Sequence, residues 1–206
     1  MHEKEILIVD DEPAIRLSLS QILLSLGYDV RCAADGFLAL IEFRQRVPHI
    51  LLSDLEMPGM SGFELLSVVR RRFPSTHVIA MSGNFSPEAM PAGVAADAFH
   101  QKGSSLGHLL ELVHAMAELE REPRKHHADS PMPVWVASNG HNSTGEAYVT
   151  IVCPECLRAF PHAVPAAGDF EETACLHCAM RLEFAVDQAT QPIVSRKLSC
   201  EVKRMD

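Results

Sequence analysis

The sequence predicts an α/β protein: a five-stranded, doubly wound parallel sheet followed by a second, small β-rich domain. Three observations carry this. Over roughly the first 120 residues, short apolar runs alternate with stretches of helical period. Acidic residues stand at the ends of the first and third of these runs. Beyond residue 144 the helical period stops, and four cysteines fall in two close pairs.

Ile6-Leu7-Ile8-Val9 has the continuous apolar character of a buried strand and ends in Asp10-Asp11-Glu12. Ile15, Leu19, Ile22, Leu23 and Leu26 recur at helical spacing, and Gly27 stands where a C-cap belongs. Tyr28 to Cys32 is expected as a second strand, with Cys32 a buried apolar residue in it. Phe37, Leu40 and Ile41 mark a second helix, and His49 to Ser53 a third strand. Phe63, Leu66, Val69 and Phe73 mark a third helix, stopped by Pro74. Its last turn, Arg70-Arg71-Arg72, is expected to be solvated and favoured by the helix dipole. His77 to Met81 is a fourth strand. Ser86-Pro87-Glu88 opens a short fourth helix, with serine as N-cap and proline at its first position. Ala98 to Gln101 is a fifth strand, and Leu106, Leu109, Leu110, Val113 and Met116 form a fifth helix. Five strand–helix pairs imply a parallel sheet with helices on both faces.

The expected domains are therefore residues 1–120, a flexible linker at 121–144, and a small domain at 145–206. The linker reading rests on Pro123, Pro131, Pro133 and the polar cluster Ser138-Asn139-Gly140. Strand-like runs return at Ala147 to Val152 and Leu182 to Val186, with another expected at Ile193 to Leu198. So small a domain has little core of its own and needs a staple.

Composition narrows the function classes. Of 206 residues, 47% are hydrophobic and 22% charged, which excludes disorder over the whole length. No apolar run approaches the roughly 18–20 residues that span a bilayer. The start, Met1-His2-Glu3-Lys4-Glu5, lacks the pattern of an export signal, so a cytoplasmic setting is expected, with no membrane partner. A net charge of −9 argues against a surface that grips nucleic acid throughout.

Ligands of a parallel sheet collect at the carboxyl ends of its strands. Here those ends deliver Asp10-Asp11-Glu12, Asp54, Ser82 and Lys102. Clustered carboxylates are costly to desolvate unless a cation sits among them. Magnesium suits a site that keeps waters and shares a phosphoryl oxygen. Asp54 is then an in-line nucleophile forming an acyl phosphate. Lys102 and Ser82 contact the phosphoryl oxygens.

Residues 4 to about 120 resemble the receiver domain of bacterial two-component response regulators. The likeness is carried by Ile6 to Glu12, Leu52 to Gly62 (LSDLEMPGMSG), Ile79 to Gly83 (IAMSG) and Ala92 to Lys102 (AGVAADAFHQK). It implies a flavodoxin-like fold and a phosphoacceptor at Asp54. It implies magnesium held by Asp10, Asp11, Asp54 and the backbone carbonyl of Glu56. Ser82 and Phe99 correspond to the family's switch hydroxyl and switch aromatic. The implied partner is a sensor histidine kinase or phosphotransfer protein. No separate catalytic domain is expected, since such a receiver promotes its own phosphotransfer. Two departures stand out: Gly103 follows Lys102 where the family usually has proline, and Gly83 follows Ser82.

Cys153-Pro154-Glu155-Cys156 and Cys175-Leu176-His177-Cys178 are C-x-x-C knuckles separated by 18 residues. That spacing fits one zinc held by four thiolates. A strand leads into one knuckle and another leaves the second, so the segment resembles a zinc ribbon. A closed four-cysteine site is structural, with no open position for catalysis. His162, His177 and Cys200 are expected to be bystanders. Two alternatives compete with the metal: a pair of disulfides, and a thiol redox centre under receiver control. Residues 145–206 carry six Lys or Arg against nine Asp or Glu. The favoured output is therefore a protein partner, ahead of nucleic-acid binding through Arg196, Lys197, Lys203 and Arg204.

Overall fold

Continuous apolar runs take the centre of the first sheet because helices cover both its faces. In the computed structural model, β1 (Glu5–Val9), β3 (Ile50–Asp54) and β4 (His77–Ser82) are buried along their whole length. The structure describes residues 4–85, 94–120, 134–141, 145–164 and 171–187. With β2 (Asp29–Ala33) and β5 (Ala98–Gln101) at the edges, the strands run parallel in the order β2-β1-β3-β4-β5.

Strand periodicity divides the core in two. Ile6, Ile8, Ile50, Leu52, Ile79 and Met81 meet Leu19 and Leu23 of α1 (Pro13–Ser25) and Leu109 and Val113 of α4 (Leu106–Glu118). Leu7, Val9, Leu51, Val78 and Ala80 meet α2 (Gly36–Gln45) and α3 (Gly62–Arg72) on the other face. The helix expected at Ser86-Pro87-Glu88 lies outside the described residues, so α4 is the helix predicted as the fifth.

Three expectations change. Cys32 is exposed, because β2 is an edge strand. The buried side of α2 is Ala39, Leu40 and Phe43, while Phe37 and Ile41 are exposed; a helix apolar nearly all round does not declare its inner face. Arg70 is not a solvated end residue. It donates to Asp97 at 2.6 Å and to the Ala95 carbonyl at 3.2 Å, clamping α3 to the segment that enters β5.

A second five-stranded sheet has the order β8-β7-β6-β10-β9. Its strands are β6 (Val134–His141), β7 (Ala147–Val152), β8 (Ala159–Ala163), β9 (Glu171–Ala174) and β10 (Arg181–Asp187). β6 falls inside the stretch expected as linker. It is the central strand, parallel to β10 and antiparallel to β7, and Val136 is sealed in the core. The prolines and polar residues around it hid the run Val134-Trp135-Val136. The short strands β8 and β9 were also not foreseen. The sheet curls so that its two edges meet: His162 of β8 lies 3.2 Å from the Thr173 hydroxyl of β9 and edge-on to Phe184. Val136, Val149, Ile151, Phe160, Leu182 and Phe184 fill the interior. The strand expected at Ile193 to Leu198, Cys200 and the basic tail lie outside the described residues.

The two sheets are not independent. α3 lies against β6, and Val152 at the end of β7 belongs to the same buried cluster as α2 and α3. This explains why α3 is buried almost all round, from Gly62 to Val69.

Candidate functional site

The strand ends of the first sheet bring Asp10, Asp11, Asp54, Ser82 and Lys102 to one rim. β1 ends just before Asp10, which is fully buried, and β3 ends at Asp54, which is 4% exposed. Carboxylate oxygens of Asp10, Asp11 and Asp54 lie within 4.8 Å of one another. The Lys102 ammonium stands between two of them, 2.7 Å from Asp54 Oδ2 and 2.8 Å from Asp10 Oδ2. The first contact is an aligned hydrogen bond. The second is an ion pair out of alignment, so the buried Asp10 Oδ2 has no hydrogen-bond partner. The remaining oxygens accept backbone N–H groups: Glu12 donates to Asp10 at 2.9 Å, and Glu56 donates to Asp54 at 3.1 Å.

Burial raises the Asp54 carboxyl above its ordinary value, against the opposing hydrogen bond and charge of Lys102. Burial pulls the Lys102 ammonium down, but its close contacts with the Asp10 and Asp54 carboxylates outweigh it and the net shift is upward. Three carboxylates thus cluster around one ammonium that pairs with only two of them. Such a set of hard oxygen donors, one with an unsatisfied buried oxygen, fits a divalent cation of the magnesium type.

Ser82, buried at the end of β4, is already engaged. Its hydroxyl donates to Glu56 Oε2 at 3.0 Å and accepts from the backbone N–H groups of Asn84 and Phe85. Glu56 Oε1 also accepts from the Asn84 side-chain amide at 2.8 Å. The sequence reading foresaw only the Glu56 backbone carbonyl and missed this carboxylate clasp. Phe99 is half-buried against the cluster that includes Phe63. The Lys102 backbone N–H donates to the Ser82 carbonyl at 2.7 Å, tying the two strand ends together. Gly103 has φ +85°, a conformation closed to proline, which accounts for the departure at that position.

The four cysteines converge in the second sheet. Each knuckle is the tip of a hairpin, β7–β8 or β9–β10, and the two are built alike. Cys153 N–H donates to the Arg158 carbonyl and Leu157 N–H to the Cys153 carbonyl; Cys175–Met180 and Ala179–Cys175 repeat the pattern. Leu157 and Ala179 both take positive φ. The sulfurs lie within 4.8 Å of one another, with Cys153–Cys178 at 3.6 Å and Cys156–Cys175 at 3.7 Å. A tetrahedral zinc with arms of ~2.3 Å requires about 3.8 Å between sulfurs, so the donor set fits. None of the four is joined in a disulfide. Burial pushes the Cys153 thiol up to about 12, while backbone N–H bonds from His177 and Cys178 overcome burial at Cys175 and lower it to about 6. A redox pair of thioredoxin type needs a helix after the first cysteine, and strands flank both knuckles here. His162 faces Thr173 and Phe184, and the exposed His177 ring contacts the Ala159 carbonyl; neither joins the sulfur cluster.

A family model for the response regulator receiver domain matches residues 6–114, more than half of the chain. The chain belongs to the response regulator receiver family. It is 36% identical over 97 residues to the nitrogen assimilation regulatory protein NtrX of Azorhizobium caulinodans, covering 46% of this chain and 21% of NtrX. It is 30% identical over 133 residues to the DNA-binding transcriptional regulator NtrC of Escherichia coli, covering 65% of this chain and 27% of NtrC. Among solved structures, the response regulator TrrA of Thermotoga maritima with magnesium and beryllofluoride matches at 32% identity and a TM-score of 0.52, over 55% of this chain and 98% of TrrA. TrrA has also been solved in complex with the histidine kinase ThkA. The chain thus spans about a fifth to a quarter of these two curated regulators, and this receiver is a response-regulator module of two-component signalling. Among the described residues, no helix is long and apolar enough to cross a membrane.

Proposed function

We propose that this receiver accepts a phosphoryl group on Asp54 from a phosphohistidine and relays the change to a zinc-holding output module. The observation that carries the reading is the Lys102 ammonium shared between Asp54 and Asp10 at adjacent strand ends. An Asp54 carboxylate oxygen attacks phosphorus as the phosphorus–nitrogen bond breaks, and the imidazole nitrogen leaves with its electron pair. Magnesium, held by Asp10, Asp11, Asp54 and the Glu56 carbonyl, supplies charge neutralisation at the phosphoryl oxygens. Lys102 then pairs with a phosphoryl oxygen. Ser82 leaves Glu56, donates to another phosphoryl oxygen, and lets Phe99 move inward. The partner is a histidine kinase or phosphotransfer protein, as TrrA's complex with ThkA supports. Phosphorylation is tested with acetyl phosphate and magnesium. Wild type takes up one phosphoryl group per chain, and Asp54→Asn takes up none; label retained by the variant refutes the assignment.

In the same reading Cys153, Cys156, Cys175 and Cys178 hold one structural zinc, supported by sulfur spacings of 3.6 and 3.7 Å. The output is a protein partner. A second reading, nucleic-acid binding, draws on the printed role of NtrC as a DNA-binding regulator. Salt-dependent binding to random duplex DNA decides for the second.

A further inference from the structure

We propose that α3 and the first cysteine knuckle form a latch, in which phosphorylation of Asp54 loosens the hold of Glu64 on Val152 and opens the four-cysteine site. The inference rests on the phosphoacceptor and zinc readings above.

The receiver grips the first knuckle at three points. The Val152 N–H, next to Cys153, donates to Glu64 Oε1 at 2.9 Å. The Leu157 side chain, just past Cys156, packs against the receiver's buried cluster. Glu155, between the two cysteines, lies 3.9 Å from Arg72 at the end of α3. The second knuckle makes no such contact among the described residues.

Glu64 is an unusual choice for this task. Ser61 caps α3, its hydroxyl accepting from the Glu64 N–H at 3.3 Å. In a capping box the glutamate carboxylate would return to the N-cap backbone. Here it reaches across to the other sheet and is 3% exposed. At the far end of α3 the junction is open, with a cleft of about 310 Å³ beside Arg71, Glu172, Arg181 and Glu183. The dry, hydrogen-bonded end of the junction is therefore the end nearest Asp54.

The link from Asp54 to Glu64 is close-packed. A Cβ on Gly62 would lie 1.9 Å from the Asp54 carbonyl oxygen and 2.6 Å from Leu55 Cα. The first turn of α3 thus rests directly on the main chain of the phosphoacceptor, with no space to absorb a shift. When Asp54 realigns to carry a phosphoryl group, that shift passes to Glu64. The Glu64–Val152 bond already stands at the optimal length, so displacement weakens it. Coupling between sites is reciprocal, so an intact zinc knuckle in turn opposes phosphorylation.

The test uses the full zinc-loaded chain, and measures the rate of zinc transfer to a chromogenic chelator with magnesium alone and with magnesium plus beryllofluoride. Beryllofluoride should speed the transfer at least about fivefold in the wild type. Glu64→Ala should release zinc fast under both conditions, and Glu64→Gln, whose amide oxygen can still accept from Val152, should restore the response. A chain with one zinc whose release ignores beryllofluoride overturns the latch alone, as does a Glu64→Ala chain that responds like wild type. A chain that binds no zinc overturns the zinc reading and the latch with it. Failure of beryllofluoride to bind overturns the phosphoacceptor reading and, with it, the latch.

Discussion

Glu64 is a carboxyl almost sealed from water, with a backbone amide donating to it. Burial pushes it up to about 8 from its ordinary 4.5, only partly offset by the Val152 N–H. The sign of the linkage follows. Between pH 4.5 and 8 the buried carboxyl keeps its proton, whereas the exposed carboxyl of the undocked or unfolded chain has lost it. The state with Glu64 buried therefore binds more protons and loses stability as pH rises through that window, by up to about 1.4 kcal/mol per pH unit. The urea midpoint of the wild type should fall from pH 5.5 to 8, and Glu64→Gln should flatten that slope. Equal slopes in the two proteins would show that Glu64 does not titrate there. The Glu56–Ser82 contact belongs to the same scale. A hydroxyl expected to meet phosphate is held by a carboxylate until the phosphoryl group competes for it.

At the scale of elements, α3 has two duties. It covers the first sheet through Phe63 and Leu66, and it seats the second sheet through Glu64. Its start is constrained by Gly62, where any side chain would strike the Asp54 and Leu55 main chain. Gly62→Ala should destabilise the receiver by roughly 1–3 kcal/mol or more, since backbone rather than a movable side chain must yield. It should also slow phosphorylation, because Asp54 moves with the clash. Urea unfolding and acetyl phosphate kinetics measure the two effects. A variant unchanged in both would mean that the loop is looser than the packing implies. The paired hairpins of the second module show the same economy of local design. Each closes on a residue with positive φ, Leu157 or Ala179, and each aims two sulfurs at a common centre.

For the whole molecule, an independent ribbon on a loose linker would leave the receiver indifferent to metal. The buried position of Val152 in the receiver's cluster changes that expectation. If the four cysteines hold zinc as proposed, its removal should unfold the knuckles and expose this contact, and a buried valine is worth about 1.5–3 kcal/mol. Chelation should therefore lower the thermal midpoint of the receiver by several degrees, besides abolishing the β-signal of the second sheet. Elemental analysis should give one zinc per chain before chelation. A receiver transition that does not move after zinc loss would show that the docking contributes little energy.

The strands β1, β3, β4 and β5 were legible because continuous apolar runs at regular intervals have few other solutions. The acidic site was legible because its members stand at strand ends, and the order of a parallel sheet brings strand ends together. The cysteine pairs were legible from spacing alone, since a knuckle is a local object. Tertiary structure decided what depends on a distant neighbour. β6 became a strand because β7 and β10 offer it two partners, despite the prolines before it and the Ser138-Asn139-Gly140 cluster within it. Cys32 lost its expected burial because β2 fell at the edge. Arg70 left the solvent because Asp97, far along the chain, lies within reach. Glu64, an acid in the first turn of α3, carries no local sign of burial in the sequence. Only the approach of Val152 from another sheet made it the contact between α3 and the strand that leads into the first knuckle, because burial and partner come from residues far apart in the chain.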